Sequence, residues 1–185
     1  MPGGFLAEKF LEGDYMRFCR GLVKIIDSFL NKVGNLSQWI VIPLMLLLVF
    51  EVVTRRIFGR PHLWTNDVAK QIFSLYFLLY LGVGILKDVH VRIDLFYERF
   101  SKRKKALFDL VTYPVMVIIP SVLMLNVGAH YAATSWARHQ LTPSICRIPI
   151  YPIKTFIPVA FALILLAAVS KFIKDLSIAV KGREL

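Results

Sequence analysis

Two pairs of ionisable side chains have the i, i+4 spacing that brings residues together on one face of a helix. Glu51 precedes Arg55 by four residues within an apolar stretch, and His90 precedes Asp94 by four, with Arg92 between them. A carboxylate at membrane depth is costly to desolvate, so Glu51 with Arg55 is the strongest functional candidate. An ion pair that only anchors the end of a helix explains the spacing equally well. His90 and Asp94 could share a metal, but two ligands make a poor site, and hydrogen bonding that shapes a turn is the favoured interpretation.

The histidines raise the question of haem, because a bis-histidine haem needs two imidazoles that face each other inside a helical bundle. His62, His130 and His139 are expected near one membrane face and His90 near the other, so His62 with His130 is the conceivable pair. This gives an alternative function, a haem-bearing or quinone-linked membrane anchor of a redox complex. No GxSxG, HExxH, Walker or GxGxxG pattern occurs, so we expect no enzymatic activity, no metal site and no cofactor in this chain.

The composition indicates a membrane protein. Of the 185 residues, 57% are hydrophobic, above the roughly 45–50% of soluble domains, and the mean hydropathy is +0.61. Four stretches, 37–58, 67–87, 107–129 and 154–173, approach the roughly 20 residues that cross a bilayer as a helix. We therefore expect an all-α integral membrane protein with one four-helix transmembrane domain over 37–173.

The charge distribution predicts the orientation. The net charge is +11, but Lys and Arg cluster beside the apolar stretches, which is typical of membrane orientation rather than of a nucleic-acid partner. Most of the 23 basic residues lie before the first stretch, between the second and third, and after the fourth. By the positive-inside rule both termini, including the tail 174–185, and the middle loop are cytoplasmic. The N-terminal segment lacks the features of a signal peptide, so we expect the first membrane segment to stay in the mature protein.

Two amphipathic stretches are expected to lie along the inner membrane surface as interfacial helices. The longer one, within 1–36, has two faces: Tyr15, Phe18, Leu22, Ile25, Phe29 and Val33 on the apolar side, and Arg17, Arg20, Lys24, Asp27 and Asn31 on the polar side. The shorter one carries Ile93, Phe96, Tyr97 and Phe100 at helical spacing. For the longer helix, packing on a soluble partner is the alternative.

Two consecutive stretches carry a family resemblance. "FEVVTRRIFGRPHLWTNDVAK" and "FLLYLGVGILKDVHVRIDLFYERFSKRKKALFDL" resemble the small membrane subunit of TRAP transporters, the tripartite ATP-independent periplasmic importers of bacteria and archaea. The matching features are Glu51 with Arg55, the Trp64-Thr65-Asn66-Asp67 start of the second helix, Gly82, and the run from His90 to Asp94. The later stretch "CRIPIYPIKTFIPVAFALILL" looks like the start of the family's fourth helix. Asp67 stands where the family more often has Glu.

The resemblance implies a small scaffold subunit of a heteromeric importer in the bacterial or archaeal cytoplasmic membrane. In such importers a periplasmic binding protein delivers the solute, typically an organic acid. A large membrane subunit carries that solute inward with a sodium or proton gradient. The small subunit, embedded in membrane lipids, would contact the large subunit permanently and the binding protein transiently. Because the sequence ends after its fourth apolar stretch, we expect the large subunit to be a separate polypeptide.

The resemblance also suggests which residues meet the binding protein at the outer face. Arg and Trp often carry interface energy, and this face has seven of them: Arg55, Arg56, Arg60, Trp64, Trp136, Arg138 and Arg147. Anchoring to lipid headgroups and to the aromatic belt of the membrane is the competing role. Trp64 and Asp67 are further expected to shape the start of the second helix.

Overall fold

The computed structural model describes residues 3–87, 112 and 114–181, with side chains from residue 20 to residue 177 within those ranges. This part of the chain is α-helical, as expected, and contains no β-strand, only an isolated bridge between Leu141 and Pro149. Its helices are α1 (Gly3–Gln38), α2 (Val41–Ile57), α3 (Leu63–Leu86), α4 (Ile119–Ala137, preceded by a π-helical turn, Pro114–Ile118), α5 (Tyr151–Lys154) and α6 (Phe156–Lys181). The predicted short interfacial helix lies outside the described residues.

Four apolar helical runs are long enough to cross a membrane, as the sequence predicts. They cover Arg20–Ile57, Leu63–Leu86, Pro114–Ala137 and Tyr151–Ser177. The third run continues to Ala137, beyond the expected end at residue 129. Its polar end is helical as well, and Thr134 and Ser135 there donate their hydroxyls to carbonyl oxygens one turn back, at 2.9 and 2.8 Å, so these hydroxyls are not left unpaired.

Helix α6 forms the centre of the bundle, and α3 makes the most extensive contact with it. The core cluster contains Leu30 of α1, Ile85 of α3 and Leu163 of α6. Close approach between α3 and α6 depends on Gly82, because a Cβ atom there would lie 2.8 Å from Leu163 Cβ and 3.0 Å from the Leu163 backbone. Small residues at such crossings let membrane helices pack backbone to backbone.

Helix α1 packs against α3 and α6 through a face that differs from the predicted apolar face. Val23 and Leu30 are buried, whereas Ile25 and Phe29 are 68% and 49% exposed. Of the apolar face identified in the sequence, Leu22, Ile25 and Phe29 therefore point away from the bundle, where they are available to lipid, whereas Val33 packs against the core. Asp27, expected on the water-facing side, instead contacts α6. The interfacial position of α1 stays a prediction.

A tight connection joins α2 to α3 and brings their ends together. Helix α2 ends at Ile57, the Phe58 N–H donates to the Thr54 carbonyl at 3.1 Å, and Gly59 adopts φ = +64°, the left-handed conformation that ends many helices. Pro61 follows, and His62 is extended before α3 begins. The connection is therefore short enough to place His62 beside the last turns of α2.

Candidate functional site

The Glu51 carboxylate is the centre of a polar cluster between α2 and α3. Arg55 Nη2 donates to Oε1 at 3.0 Å, and the backbone N–H of His62 donates to Oε2 at 3.3 Å. His62 Nδ1 lies 3.6 Å from the same oxygen, Oε2, and 3.5 Å from Thr54 Oγ1. The Glu51 side chain is 12% exposed and that of Arg55 is 64% exposed. The carboxylate thus ties the end of α2 to the start of α3, while the guanidinium of Arg55 stays accessible.

A cavity of about 560 Å³ adjoins this cluster. Glu51, Arg56, Thr65 and Asn66 are among the residues that line it. The His62 ring packs between Phe50 and Trp64, with ring centroids 5.5 and 6.1 Å away. The cluster therefore combines a shielded, paired carboxylate with exposed cationic side chains at its edge.

The loop from residue 138 to 150 folds back over the same end of the bundle. The Thr142 N–H donates to the Ile148 carbonyl at 2.8 Å, and the Ile150 N–H donates to the Gln140 carbonyl at 3.0 Å. His139 and Arg147 have φ values of 43° and 45°, which are uncommon for residues other than glycine. Because these hydrogen bonds join its two arms, the loop presents its side chains in a defined geometry.

Side chains from α3 and α4 hold this loop in place. Gln71 Nε2 donates to the Pro149 carbonyl at 3.0 Å. Gln140 Oε1 accepts a hydrogen bond from Ser135 Oγ at 3.1 Å and another from Lys154 Nζ. Trp136 Nε1 donates to Thr155 Oγ1 at 2.8 Å. The start of α3 and the end of α4, together with α5, therefore form one connected surface.

All seven residues predicted to contact a binding protein are exposed at this end: Arg55, Arg56, Arg60, Trp64, Trp136, Arg138 and Arg147. They come from two helix hairpins that Gln71 links through Pro149. Asp67, by contrast, is buried, with only 9% of its surface exposed. Asp67 is thus buried whereas Trp64 is exposed, although the sequence places both at the start of the second helix. Their roles stay predictions.

The remaining predicted residues concern the inner turn motif, a metal site and a haem pair. His90, Arg92 and Asp94 lie outside the described residues. Within the described ranges no group of three or more His, Cys, Asp or Glu side chains is placed to hold a metal. His62, half of the conceivable haem pair, has its Nδ1 beside Glu51 and Thr54, whereas His130 is exposed.

Sequence reasoning missed a polar network at the other end of the bundle. Asp27 of α1 accepts hydrogen bonds from Ser170 Oγ and Lys174 Nζ of α6, both at 2.6 Å. Lys171 and Asp175 are buried nearby on α6, each 8% exposed. The polar residues at i, i+4 within the last turns of α6 were a signal for a partner, but nothing in the sequence pointed to α1.

The fold and its polar ends define the class of protein. Four apolar helical runs are long enough to cross a membrane, and they pack around α6, so the chain is a multi-pass α-helical membrane protein. A profile of the DctQ component of tripartite ATP-independent periplasmic transporters matches residues 44–177. The chain therefore belongs to this family, and the resemblance read from its motifs is confirmed. It is a transporter component of the inner membrane.

Two curated relatives give the range of similarity. The sialic acid TRAP transporter small permease protein SiaQ of Vibrio cholerae is 26% identical over 109 residues, which are 56% of this chain and 61% of the relative. The sialic acid TRAP transporter permease protein SiaT of Haemophilus influenzae is 24% identical over 100 residues, or 52% of this chain and 16% of that protein. This chain thus spans less than two thirds of either relative.

Proposed function

We propose that this chain is the small scaffold subunit of a TRAP-type secondary transporter. It supports a separate large carrier subunit, which uses a sodium or proton gradient to import an organic acid delivered by a periplasmic binding protein. The DctQ match over residues 44–177 carries this proposal. The location of the buried charges supports it: among the described residues Asp67 lies near the start of α3, and Lys171 and Asp175 lie near the end of the apolar run Tyr151–Ser177, whereas carriers place solute and ion sites near the middle of the membrane.

The partner surface is best provided by α2. None of its residues is buried, although the helix is strongly apolar. Its large exposed side chains include Met45, Leu46 and Val49, which are 60%, 66% and 58% exposed. A partner helix could pack along this face. This chain matches only 16% of the longer permease protein SiaT. That match supports an assembly in which a small component lies beside a larger one.

The two ends of the bundle have different roles in this proposal. The end with Trp64, Trp136 and the exposed arginines faces the periplasm and receives the loaded binding protein. The end with Asp27 and Lys174, together with both termini, faces the cytoplasm. Membrane lipids surround the remaining apolar surface. The sodium ion or proton is used by the large subunit, and this chain needs no cofactor of its own.

Co-purification tests this function. The tagged chain is extracted from its native membrane in mild detergent, and the proteins that elute with it are identified by mass spectrometry. We expect a large multi-helix carrier in about equal amount. Recovery of the chain alone, or with a flavin or iron-sulfur protein and a Soret absorbance band, would contradict the proposal and favour the redox anchor.

A pair of matched variants tests the partner surface. Trp is placed at Met45 and Val49 on α2, or at Leu123 and Val127 on α4, which are exposed to a similar extent at 60% and 62%. The α2 variant is expected to lose most of the co-purified carrier because the added bulk prevents helix packing, while the α4 variant retains it. The reverse result would move the partner surface from α2 to α4.

A further inference from the structure

A second cavity, of about 470 Å³, lies between the outer part of α3 and the residues around α5. Asp67, Lys70 and Lys154 contribute its charged lining. Phe73 and Phe77 border it and are 54% and 53% exposed, so the cavity opens on the lateral surface of the bundle. Because Phe77 follows Asp67 by ten residues, the cavity extends about 15 Å along α3 toward the hydrocarbon region.

Asp67 is an unusual group to find in this wall. The residue is 9% exposed, and its Oδ2 atom is buried without a hydrogen-bond partner among the described residues. Burying a carboxylate oxygen without a donor is unfavourable. A carboxylate in this setting needs an N–H or O–H donor that arrives from outside the described chain.

The two lysines of the cavity do not supply that donor. Lys154 Nζ donates to Gln140 Oε1 and lies 4.1 Å from the centroid of the Tyr131 ring. Lys70 is exposed at the cavity rim, and neither lysine comes within 4.0 Å of Asp67 in the described part of the structure. Their positive charges remain available to an anionic group beside the carboxylate.

The lining therefore calls for three chemical features in one ligand. A cationic N–H donor would satisfy Asp67, an anionic group would meet Lys70 and Lys154, and apolar chains would cover Phe73 and Phe77. A soluble amine or free phosphate would leave the aromatic wall uncovered, and an anionic lipid such as phosphatidylglycerol offers Asp67 only a neutral hydroxyl, a weaker donor than an ammonium. We propose that this cavity binds a zwitterionic phospholipid with a primary ammonium headgroup, of the phosphatidylethanolamine type, in the outer leaflet.

The inference goes beyond the scaffold function and does not depend on it. The ammonium donates to Asp67, the phosphate accepts from Lys70 and Lys154, and the acyl chains follow the aromatic wall toward the membrane centre. A choline headgroup fits less well because its trimethylammonium has no N–H to donate. The site therefore discriminates by hydrogen-bond donors, not by net charge.

Native mass spectrometry of the purified full chain, together with any protein that co-purifies, measures this preference directly. The protein is titrated with phosphatidylethanolamine, phosphatidylcholine or phosphatidylglycerol that carry the same acyl chains. We expect at least about tenfold greater retention of phosphatidylethanolamine than of phosphatidylcholine, as one charge-assisted hydrogen bond predicts. Asp67→Asn keeps the shape but leaves only one neutral acceptor oxygen, and it should narrow the difference in retention between the two lipids. Lys32→Gln, exposed on α1 and outside this cavity, should keep the preference.

A second measurement needs no variant. Wild-type protein is titrated with phosphatidylethanolamine carrying zero, one, two or three N-methyl groups, and retention should fall as N–H donors are lost. Equal retention across this series, an unaltered preference in Asp67→Asn, or strongest retention of phosphatidylglycerol would each overturn the proposal. So would exclusion of all three lipids from the complex, because a side chain of the partner would then occupy the cavity.

Discussion

The Glu51 carboxylate gains its donors from two helices, and this explains how one residue can stabilise an outer hairpin. Arg55 comes from the same helix, one turn away, and the His62 N–H comes from the start of the next. Because the side chain is only 12% exposed, water replaces these donors poorly when the contacts break. The pair is therefore a clamp between α2 and α3.

Replacement of Glu51 by Ala should loosen this clamp. We expect the Tm of the purified protein to fall by several degrees and co-purification of the large subunit to decrease, because the loop between α2 and α3 loses its anchor. Arg56→Ala, one residue beyond Arg55, removes an arginine that does not donate to the Glu51 carboxylate in the described structure; it is the control and should change neither. Wild-type assembly and uptake in Glu51→Ala would show that the pairing with Arg55 is dispensable.

The Asp27 carboxylate has a corresponding role at the opposite end of the bundle. It accepts from Ser170 and Lys174 of α6 and so fixes the rotation of α1 on the bundle. Asp27→Asn should cost about 1 kcal/mol, a small value because Lys174 and Asp27 remain 34% and 24% exposed. Thermal unfolding measures the loss, and limited proteolysis should show faster cleavage within α1. Lys24→Gln, exposed on the same helix, should leave both unchanged; an equal effect would refute a specific role for Asp27.

Helix packing in this bundle depends on close contact between α3 and α6. The core cluster joins these helices to α1 through Ile85, Leu163 and Leu30. Gly82 allows the contact because it has no Cβ atom, for which Leu163 leaves no space. Van der Waals packing of this kind is a principal source of stability between helices in lipid, where the hydrophobic effect contributes little.

Gly82→Ala should therefore destabilise the bundle, by about 1–2 kcal/mol, because the new Cβ overlaps Leu163. Gly21→Ala is the matched control: a Cβ there meets nothing within 4 Å, and alanine favours the helix by about 1 kcal/mol. Chemical or thermal unfolding of the two variants should shift in opposite directions. A Gly82→Ala protein as stable as the wild type would mean that the helices separate slightly without cost.

The whole molecule has two chemically different ends. One end carries Trp64, Trp136 and the hydrogen-bonded loop 138–150, and the other carries Asp27 with its partners on α6. Successive membrane helices run in alternate directions, so the positive-inside rule assigns both termini to the cytoplasm. The orientation in the membrane stays a prediction.

The two cysteines provide its test. In a Cys19→Ser variant, Cys146 is exposed in the outer loop and should react with a membrane-impermeant maleimide in intact cells with a permeable outer envelope. In a Cys146→Ser variant, Cys19 should react only after the inner membrane is opened. Labelling in the opposite order would reverse the assigned topology.

Properties that depend on neighbouring residues in the chain, such as segment hydropathy and residue spacing, could be read from the sequence. Four apolar stretches predicted four spanning helices, and motif order predicted the family. The spacing of Glu51 and Arg55 showed that they could meet, because four residues make about one helical turn. The end of α4 was less predictable, because the helix continues past its apolar run through polar residues whose hydroxyls bond to carbonyl oxygens of the same helix.

Contacts between distant residues were decided only in the folded bundle. Asp27 and Ser170 are 143 positions apart, and Gln71 meets Pro149 across 78. The sequence pattern assigned Asp27 to the water-facing side of α1 and left Asp67 as a simple helix-start residue. Which side chains are buried depends on the rotation of each helix about its axis and on its neighbours. That rotation is set by interhelical packing, so hydropathy of a single segment cannot specify it.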